Sequence, residues 1–298
     1  MTGRGHRRII MRVKWFMPCI VGVLAWLFPC SPAARADEAA KQDGPSLASS
    51  PTNSPWSRIV TIGASATAGV KDRDSITDTN TALYRISRYL DAALLMPHEP
   101  VRNFGDPYFF LAPTPTGRRQ IERTLKLEPS MVVGIDFLFW FCYGEVPEEE
   151  ERLRRFERGL TLLEPLTCPL ILGDIPDASA ATNKLLRPRQ IPQIETIAAA
   201  NDRLRKWAAT RKQTAVVGLA DFMQAVRQNR PIHLRNQNWQ ETSLFLQQDR
   251  LHPTPRGAAL LALAILDRFS TSESPPGHEQ IRWDFESLFR EGYRGRER

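Results

Sequence analysis

Short apolar runs recur along the chain, separated by stretches whose apolar residues lie at helical spacing. The first run contains Ile59, Val60 and Ile62, and side chains branched at Cβ favour a buried strand. Runs of the same kind predict further strands over residues 130–136, 169–174 and 214–219. Val101 marks a shorter one. A parallel sheet would bury runs of this length on both of its faces.

Apolar residues three or four positions apart predict the helices between these strands. In the stretch 81–95, Leu83, Ile86 and Leu90 share one helical face, and Pro97 ends the pattern. The same spacing predicts helices over residues 117–127, 147–163, 191–211, 222–228 and 254–269. Strands that alternate with amphipathic helices predict an α/β fold: a three-layer α/β/α sandwich around a mainly parallel sheet. One domain over residues 56–270 accounts for the whole pattern.

Different patterns flank this domain. Residues 1–36 combine a basic start, an apolar core over 15–28 and the segment Ala34-Arg35-Ala36, which is typical of a secretory signal cleaved before Asp37. An uncleaved N-terminal anchor is the alternative. Residues 37–55 are rich in Ala, Ser and Pro and predict a flexible linker. Residues 271–298 form a polar tail in which the aromatic segment 283–289 could dock on the domain. We therefore expect an exported protein, periplasmic or secreted, with no stable membrane insertion after signal removal.

The basic character of the chain belongs mostly to the leader. The formal net charge is +7 at pH 7, and residues 1–36 contain six basic side chains and no acid. The remainder is nearly neutral, so we expect no nucleic-acid partner. After signal cleavage only Cys142 and Cys168 remain, and either a disulfide or two buried thiols would fit. No cysteine–histidine cluster has metal-ligand spacing, so we expect no metal and no cofactor.

The candidate chemistry lies at opposite ends of the domain. Ser65 follows the first strand in a turn of small residues, the position where open α/β sheets place reactive groups. A serine needs a base to become a nucleophile, and His252 is the candidate, with Asp249 three residues earlier to orient its ring. The turn from Gly63 to Thr67 lacks the second glycine of an α/β-hydrolase elbow.

These motifs resemble those of the SGNH (GDSL-type) hydrolases. Gly63-Ala64-Ser65 matches the first block of that family, Asn103-Phe104-Gly105 the second, and Asp249 to Pro253 the last. The resemblance implies a flavodoxin-like α/β/α sandwich, catalysis by Ser65, Asp249 and His252, and an oxyanion site that includes Asn103 and Gly105.

The third block departs from the family pattern. Gly134-Ile135-Asp136-Phe137 places Asp136 where the family has an asparagine whose side chain donates to the oxyanion. Apolar neighbours would favour the neutral form, so we expect Asp136 to lie at the site and to donate while protonated. Alternatively, Asp136 points away, and the backbone N–H groups of Ser65 and Gly105 bind the oxyanion. The aromatic run 137–143 that follows is either core or a wall of the substrate pocket.

The resemblance implies an exported serine hydrolase that cleaves carboxylic esters through an acyl-enzyme on Ser65. Acylated saccharides, lipids and small esters are all candidate substrates, and acyl transfer to an acceptor other than water is a close variant. The alternative is a non-catalytic envelope protein for binding or assembly on the same scaffold. Asp136 favours this alternative, whereas Ser65, Asp249 and His252 favour the enzyme. The sequence leaves the oligomeric state open.

Overall fold

Five parallel strands form the central sheet in the computed structural model, which describes residues 54–71, 81–270 and 280–294. These residues all belong to one compact unit, Ser49–Arg298. The strands are β1 (Ile59–Thr61), β2 (Arg102–Asn103), β3 (Met131–Gly134), β4 (Leu170–Gly173) and β5 (Thr214–Val217). They lie in the order β2-β1-β3-β4-β5, with Val60 opposite Val132 and Val132 opposite Leu170. This is the flavodoxin-like order of doubly wound sheets.

Nine α-helices occur in the described ranges. They are α1 (Ser65–Ala68), α2 (Ile86–Ala93), α3 (Pro113–Leu125), α4 (Phe139–Cys142), α5 (Glu149–Leu162), α6 (Ile194–Ala209), α7 (Leu219–Arg227), α8 (Pro255–Ser270) and α9 (Phe285–Arg294). An antiparallel hairpin of β6 (Ile232–Leu234) and β7 (Gln237–Trp239) lies outside the main sheet. The sequence pattern did not predict this hairpin.

Both faces of the sheet are covered, because side chains alternate between them along each strand. Ile59 and Val133 point into the cluster that contains buried residues of α2, α8 and α9. Val60, Val132 and Leu170 point into the other cluster, which contains buried residues of α3, α4, α5 and α6. The predicted three-layer α/β/α sandwich with a parallel sheet is therefore confirmed.

The order of the strands determines where a site can form. β1 has β2 on one side and β3 on the other, so the chain leaves β1 and β3 towards opposite faces of the sheet. A crevice opens at the carboxyl ends of the strands where such a reversal occurs, and open α/β sheets bind ligands there. Ser65 follows β1 directly and Asp136 follows β3, so both lie at this point.

Element boundaries differ from the sequence pattern where proline or a tertiary contact intervenes. Helix α3 begins at Pro113, four residues before the predicted start, because proline is well suited to the first helical turn. The predicted helix 81–95 divides into a 3₁₀ turn, Thr81–Tyr84, and α2. The aromatic segment of the tail forms α9, where Phe285 and Leu288 are buried and the ring of Phe289 stacks on that of Tyr89. The tail helix thus adds to the layer formed by α2 and α8.

The proposed signal peptide, cleavage site and most of the linker lie outside the described residues. Within the described ranges, no helix is both long and apolar enough to cross a membrane. Cys142 and Cys168 are both free thiols, and burial raises the pKa of Cys142 to about 12. The structure therefore has two unbonded thiols at these positions and not a disulfide.

Candidate active site

Ser65 is the first residue of α1, a single helical turn that follows β1 by way of Gly63 and Ala64. Gly63 has a φ of +147°, a conformation that side chains with a Cβ rarely adopt. A Cβ at this position would lie 2.0 Å from Oδ1 of Asp136. A glycine is therefore required where the strand turns sharply into the nucleophile helix.

The carboxylate of Asp136 holds this turn together. Its Oδ1 accepts from the Ala64 N–H at 3.0 Å, and its Oδ2 accepts from the N–H groups of Ala66 at 2.8 Å and Thr67 at 3.2 Å. The Thr67 hydroxyl adds a contact of 2.5 Å to Oδ1. Burial raises the pKa of Asp136, and these four donors oppose that rise.

This geometry differs from the donor role expected for Asp136. The side chain does lie at the site, but both oxygens act as acceptors for the nucleophile turn. The carboxylate suits this position because the first N–H groups of a helix have no partner within the helix. Among the N–H groups from Ala64 to Thr67, only that of Ser65 has no hydrogen-bond partner in the described residues.

Gln120, which the sequence reasoning missed, clamps the end of β1 from helix α3. Its Oε1 accepts from the Gly63 N–H at 2.9 Å, and its Nε2 donates to the carbonyls of Gly63 at 2.8 Å and Phe104 at 2.7 Å. The side chain is buried, so these bonds are shielded from water. The sequence feature that could have identified Gln120 is its position, as a glutamine, on the inner face of a predicted helix.

Asn103 and Gly105 support the same turn from the β2 side. Asn103 donates from Nδ2 to the Thr67 carbonyl at 2.9 Å, and its Oδ1 accepts from the Gly105 N–H at 2.8 Å. Gly105 packs so closely on α1 that a Cβ would lie 2.5 Å from the Ala68 nitrogen. In this arrangement the Gly105 N–H is occupied by Asn103, and neither residue lines the cavity in front of Ser65.

Asp249 and His252 form a hydrogen-bonded pair in the loop before α8. The Nδ1–H of His252 donates to Oδ2 of Asp249 at 2.6 Å, and Oδ1 accepts from the N–H groups of His252 at 2.9 Å and Leu251 at 2.8 Å. Burial alone would raise the pKa of Asp249, but the hydrogen bonds and charge of His252 outweigh it and leave the pKa below its ordinary value. The bond to Nδ1 leaves Nε2 as the basic nitrogen.

Gln247 ties this loop to the nucleophile turn. Its Nε2 donates to the carbonyls of Pro253 and Val70, each at 2.8 Å, while its N–H donates to the His252 carbonyl at 2.8 Å. Val70 follows α1, so one side chain joins segments that are 177 residues apart in the chain. Sequence spacing alone carries no signal for such a contact.

Ser65 and His252 line the same cavity, which has a volume of about 70 Å³. The Nε2 atom of His252 is buried and has no hydrogen-bond partner among the described residues. No hydrogen bond joins it to Ser65, and catalytic hydrogen bonds of this kind often tighten only when substrate is bound. The predicted nucleophile and base therefore face one space, together with Asp136.

The walls of this cavity are mostly apolar. Phe139 and Trp140 of the aromatic run contribute to it, so part of that run is pocket wall as well as core. Further walls come from β4, α7 and the His252 loop, including Ile175, Leu219, Phe222, Leu246 and Leu251. One further carboxylate, that of Asp174, lines the cavity and was not singled out from the sequence.

The described part of the chain contains no group of three or more His, Cys, Asp or Glu side chains that could hold a metal ion. Ser65 and the hydrogen-bonded Asp249–His252 pair line one cavity, so the arrangement can activate a hydroxyl nucleophile by a histidine base.

No protein-family model matches the chain, and no curated protein does. Solved structures are similar to it. A lipase/acylhydrolase from Enterococcus faecalis is 21% identical, with a TM-score of 0.49, and the match covers 76% of this chain and 98% of that one. An acetylxylan esterase from Geobacillus stearothermophilus is 18% identical, with a TM-score of 0.47 and coverage of 73% and 97%. Each match extends over about three quarters of this chain and nearly the whole of the solved structure.

Proposed function

We propose that this protein is a serine hydrolase of the SGNH type that cleaves carboxylic esters through an acyl-enzyme on Ser65. The observation that carries the proposal is the Asp249–His252 pair: its Nε2 is buried without a hydrogen-bond partner in the described residues, and His252 lines the same cavity as Ser65. A buried imidazole nitrogen without a partner loses free energy unless a substrate or nucleophile supplies one.

In the proposed reaction, His252 Nε2 takes the proton of the Ser65 hydroxyl while Oγ attacks the ester carbonyl carbon. The tetrahedral intermediate collapses as His252 gives that proton to the leaving alcohol, and the acyl group stays on Ser65. A water molecule then loses a proton to His252 and attacks the acyl carbonyl. As this second tetrahedral intermediate collapses, His252 returns the proton to Ser65 Oγ and the acid is released. Asp249 keeps the imidazole in the required tautomer and stabilises its charged form.

The Ser65 N–H is the proposed oxyanion donor. Asp136 accepts from the neighbouring N–H groups and leaves this one unbound, so the carboxylate holds the turn in the geometry that presents the donor. The N–H of Gly105 would contribute only by leaving Asn103. Asp136 thus has a structural role within the proposed active site, so its presence is compatible with catalysis and supports the enzyme as well as the non-catalytic envelope protein.

The small apolar cavity supports a short acyl group as the part of the substrate next to Ser65. The leaving alcohol, which could belong to a saccharide, a lipid or a small molecule, would extend away from it. Transfer to an acceptor other than water uses the same acyl-enzyme and remains a variant of the proposal. Export, with cleavage after Ala36, is part of the proposal on the strength of the leader sequence.

A fluorophosphonate probe tests the proposed nucleophile. The purified protein should be labelled at Ser65, and Ser65→Ala and His252→Ala should each lower ester turnover by at least about a thousandfold with the fold intact. His233→Ala, which removes an exposed histidine of β6, is the matched control and should retain turnover. Labelling or turnover that survives Ser65→Ala would contradict the mechanism. A folded protein without either would support the envelope protein.

A further inference from the structure

Asp174 is a second carboxylate in the cavity of Ser65 and His252, and the proposed mechanism does not use it. It follows β4 directly and is half-buried. Its Oδ1 accepts from the Ala220 N–H of helix α7 at 2.8 Å. The Leu219 N–H also hydrogen-bonds to this carboxylate, and no side chain in the described ranges donates to it. The two oxygens of a carboxylate can accept more hydrogen bonds than these two backbone groups supply.

The loop that carries Asp174 is held rigidly. Asn201 of α6 accepts from the Ile175 N–H at 2.7 Å and donates to the Ile175 carbonyl at 2.9 Å. The Tyr143 hydroxyl donates to the Pro176 carbonyl at 2.8 Å and accepts from the Ala178 N–H at 2.9 Å. A polar group fixed by its surroundings in advance binds a ligand at low cost in ordering.

The surroundings of Asp174 are mostly apolar. Ile175, Leu219 and Phe222 line the same cavity, which offers no other free carboxylate because the oxygens of Asp136 are occupied. Apolar pockets with few, fixed polar groups use those groups to select a substrate. A substrate with a hydrogen-bond donor at the matching position would add a hydrogen bond to Asp174, and a purely aliphatic one would not.

We propose that Asp174 is a specificity-determining residue that accepts a hydrogen bond from a hydroxyl group on a short acyl chain. The inference rests on the proposed ester hydrolysis. The acyl chain is the relevant part because it stays attached to Ser65, which lines the same small cavity. We propose a hydroxyl and not an ammonium as the donor, because the free energy of removing a neutral hydroxyl from water is smaller than that of removing a charged group. Arg205 on α6 already places a positive charge near Asp174.

The test compares ethyl butyrate with its 2-hydroxy and 3-hydroxy derivatives as substrates. The quantity to compare is the ratio of kcat/KM for the faster hydroxy ester to kcat/KM for ethyl butyrate. In the wild type this ratio should be at least about ten. Asp174→Ala should reduce this ratio by about ten- to a hundredfold while ethyl butyrate is still hydrolysed. Asp174→Asn keeps an oxygen for the Ala220 N–H but removes the charged acceptor, so it should reduce the ratio without loss of the helix cap.

Asp221→Ala is the matched control. Asp221 is an exposed acid in the first turn of α7, beside the same helix terminus but outside the cavity, and its removal should leave the ratio unchanged. A role of Asp174 confined to capping α7 would lower turnover of all three esters by the same factor.

Several outcomes would overturn the inference. One is a wild-type ratio of kcat/KM near one, and another is a ratio that stays unchanged in both Asp174 variants. A third is a higher kcat/KM for the matching 3-amino ester than for the hydroxy esters. Failure of the proposed function looks different, because ethyl butyrate would then be hydrolysed equally by the wild type and by Ser65→Ala. The two failures are therefore distinguishable in one set of measurements.

Discussion

The loops that follow β1 and β4 are built from the same parts but end in different states. In each, a buried amide on a helix binds both the N–H and the C=O of one residue, Gln120 at Gly63 and Asn201 at Ile175. Each loop also takes part in a contact between a carboxylate that follows one strand and the start of a helix that follows the neighbouring strand. The loop after β1 supplies the donors of its contact, whereas the loop after β4 supplies the carboxylate. These helices are α1 for Asp136 and α7 for Asp174.

The two carboxylates differ in how far their acceptors are used. Asp136 accepts four hydrogen bonds, one of them from a side chain, whereas Asp174 accepts only from the backbone N–H groups of Ala220 and Leu219. Burial raises the pKa of both, and the hydrogen-bond donors oppose that rise in each case. A saturated carboxylate can only hold its neighbours in place, whereas an unsaturated one in a cavity can also bind a ligand. We therefore assign a structural role to Asp136 and a role in substrate selection to Asp174.

The largest expected effect is that of Gly63→Ala. The added Cβ would be strained at a φ of +147° and would collide with Asp136 Oδ1, so we expect the free energy of unfolding to fall by about 4 kcal/mol. Gly144→Ala is the control, because Gly144 also has a positive φ, +108°, but its nearest neighbours lie at 3.7 Å. Chemical denaturation measures both. Equal losses would mean that the contact with Asp136 is unimportant.

Replacement of the two carboxylates by alanine should separate their roles. Asp136→Ala leaves several N–H groups of the nucleophile turn without an acceptor, and we expect a loss of about 2–3 kcal/mol together with slower hydrolysis of every ester. Asp174→Ala removes only the cap at the start of α7, and about 1 kcal/mol should be lost. Thermal unfolding and ester kinetics are the measurements. A greater loss of stability for Asp174→Ala would reverse our assignment.

Replacement of the two amides should sharpen the comparison further. Gln120→Leu and Asn201→Leu each break hydrogen bonds to a strand end, at a cost of about 1–2 kcal/mol apiece. Gln120→Leu should lower kcat/KM for ethyl butyrate about tenfold, because Gly63 positions Ser65. Asn201→Leu should leave ethyl butyrate nearly unaffected and reduce the preference for the hydroxy ester. If both variants changed the two substrates alike, the loops would not act separately.

The smallest expected effect concerns pH. The acceptor form of Asp174 is the ionised one, and burial and the nearby Asp221 raise its pKa, which the Ala220 N–H and Arg205 oppose. Protonation therefore begins at a higher pH than for an ordinary aspartate, whose pKa is 3.8. The preference for the hydroxy ester should decline as the pH is lowered through this raised pKa, by up to about tenfold.

The ratio of the two substrates is the quantity to measure. Titration of Asp136, which lines the same cavity, affects both esters and cancels in the ratio. Asp174→Asn should show a ratio that does not vary with pH. A wild-type ratio that is flat down to pH 4 would show that the ionisation of Asp174 plays no part in selection.

The layer architecture was predictable from the sequence, and so were the paired residues of the His252 loop. Apolar runs over 130–136 and 169–174 specify strands buried on both faces, which few folds other than an α/β sandwich accommodate. Asp249 and His252 are three residues apart, so local chain geometry is enough to bring them into hydrogen-bond contact. Ser65 was found from its position after a strand and from motif resemblance.

Only the tertiary structure decided what Asp136 and Asp174 do. The sequence does not show whether the oxygens of a carboxylate after a strand meet four donors or two, because those donors come from distant segments of the chain. The same holds for Gln120 and Gln247, whose partners depend on strand order. Local patterns specify which residues are buried and which are turned outward. Packing of distant segments decides which polar groups are saturated, and so which remain free to bind a substrate.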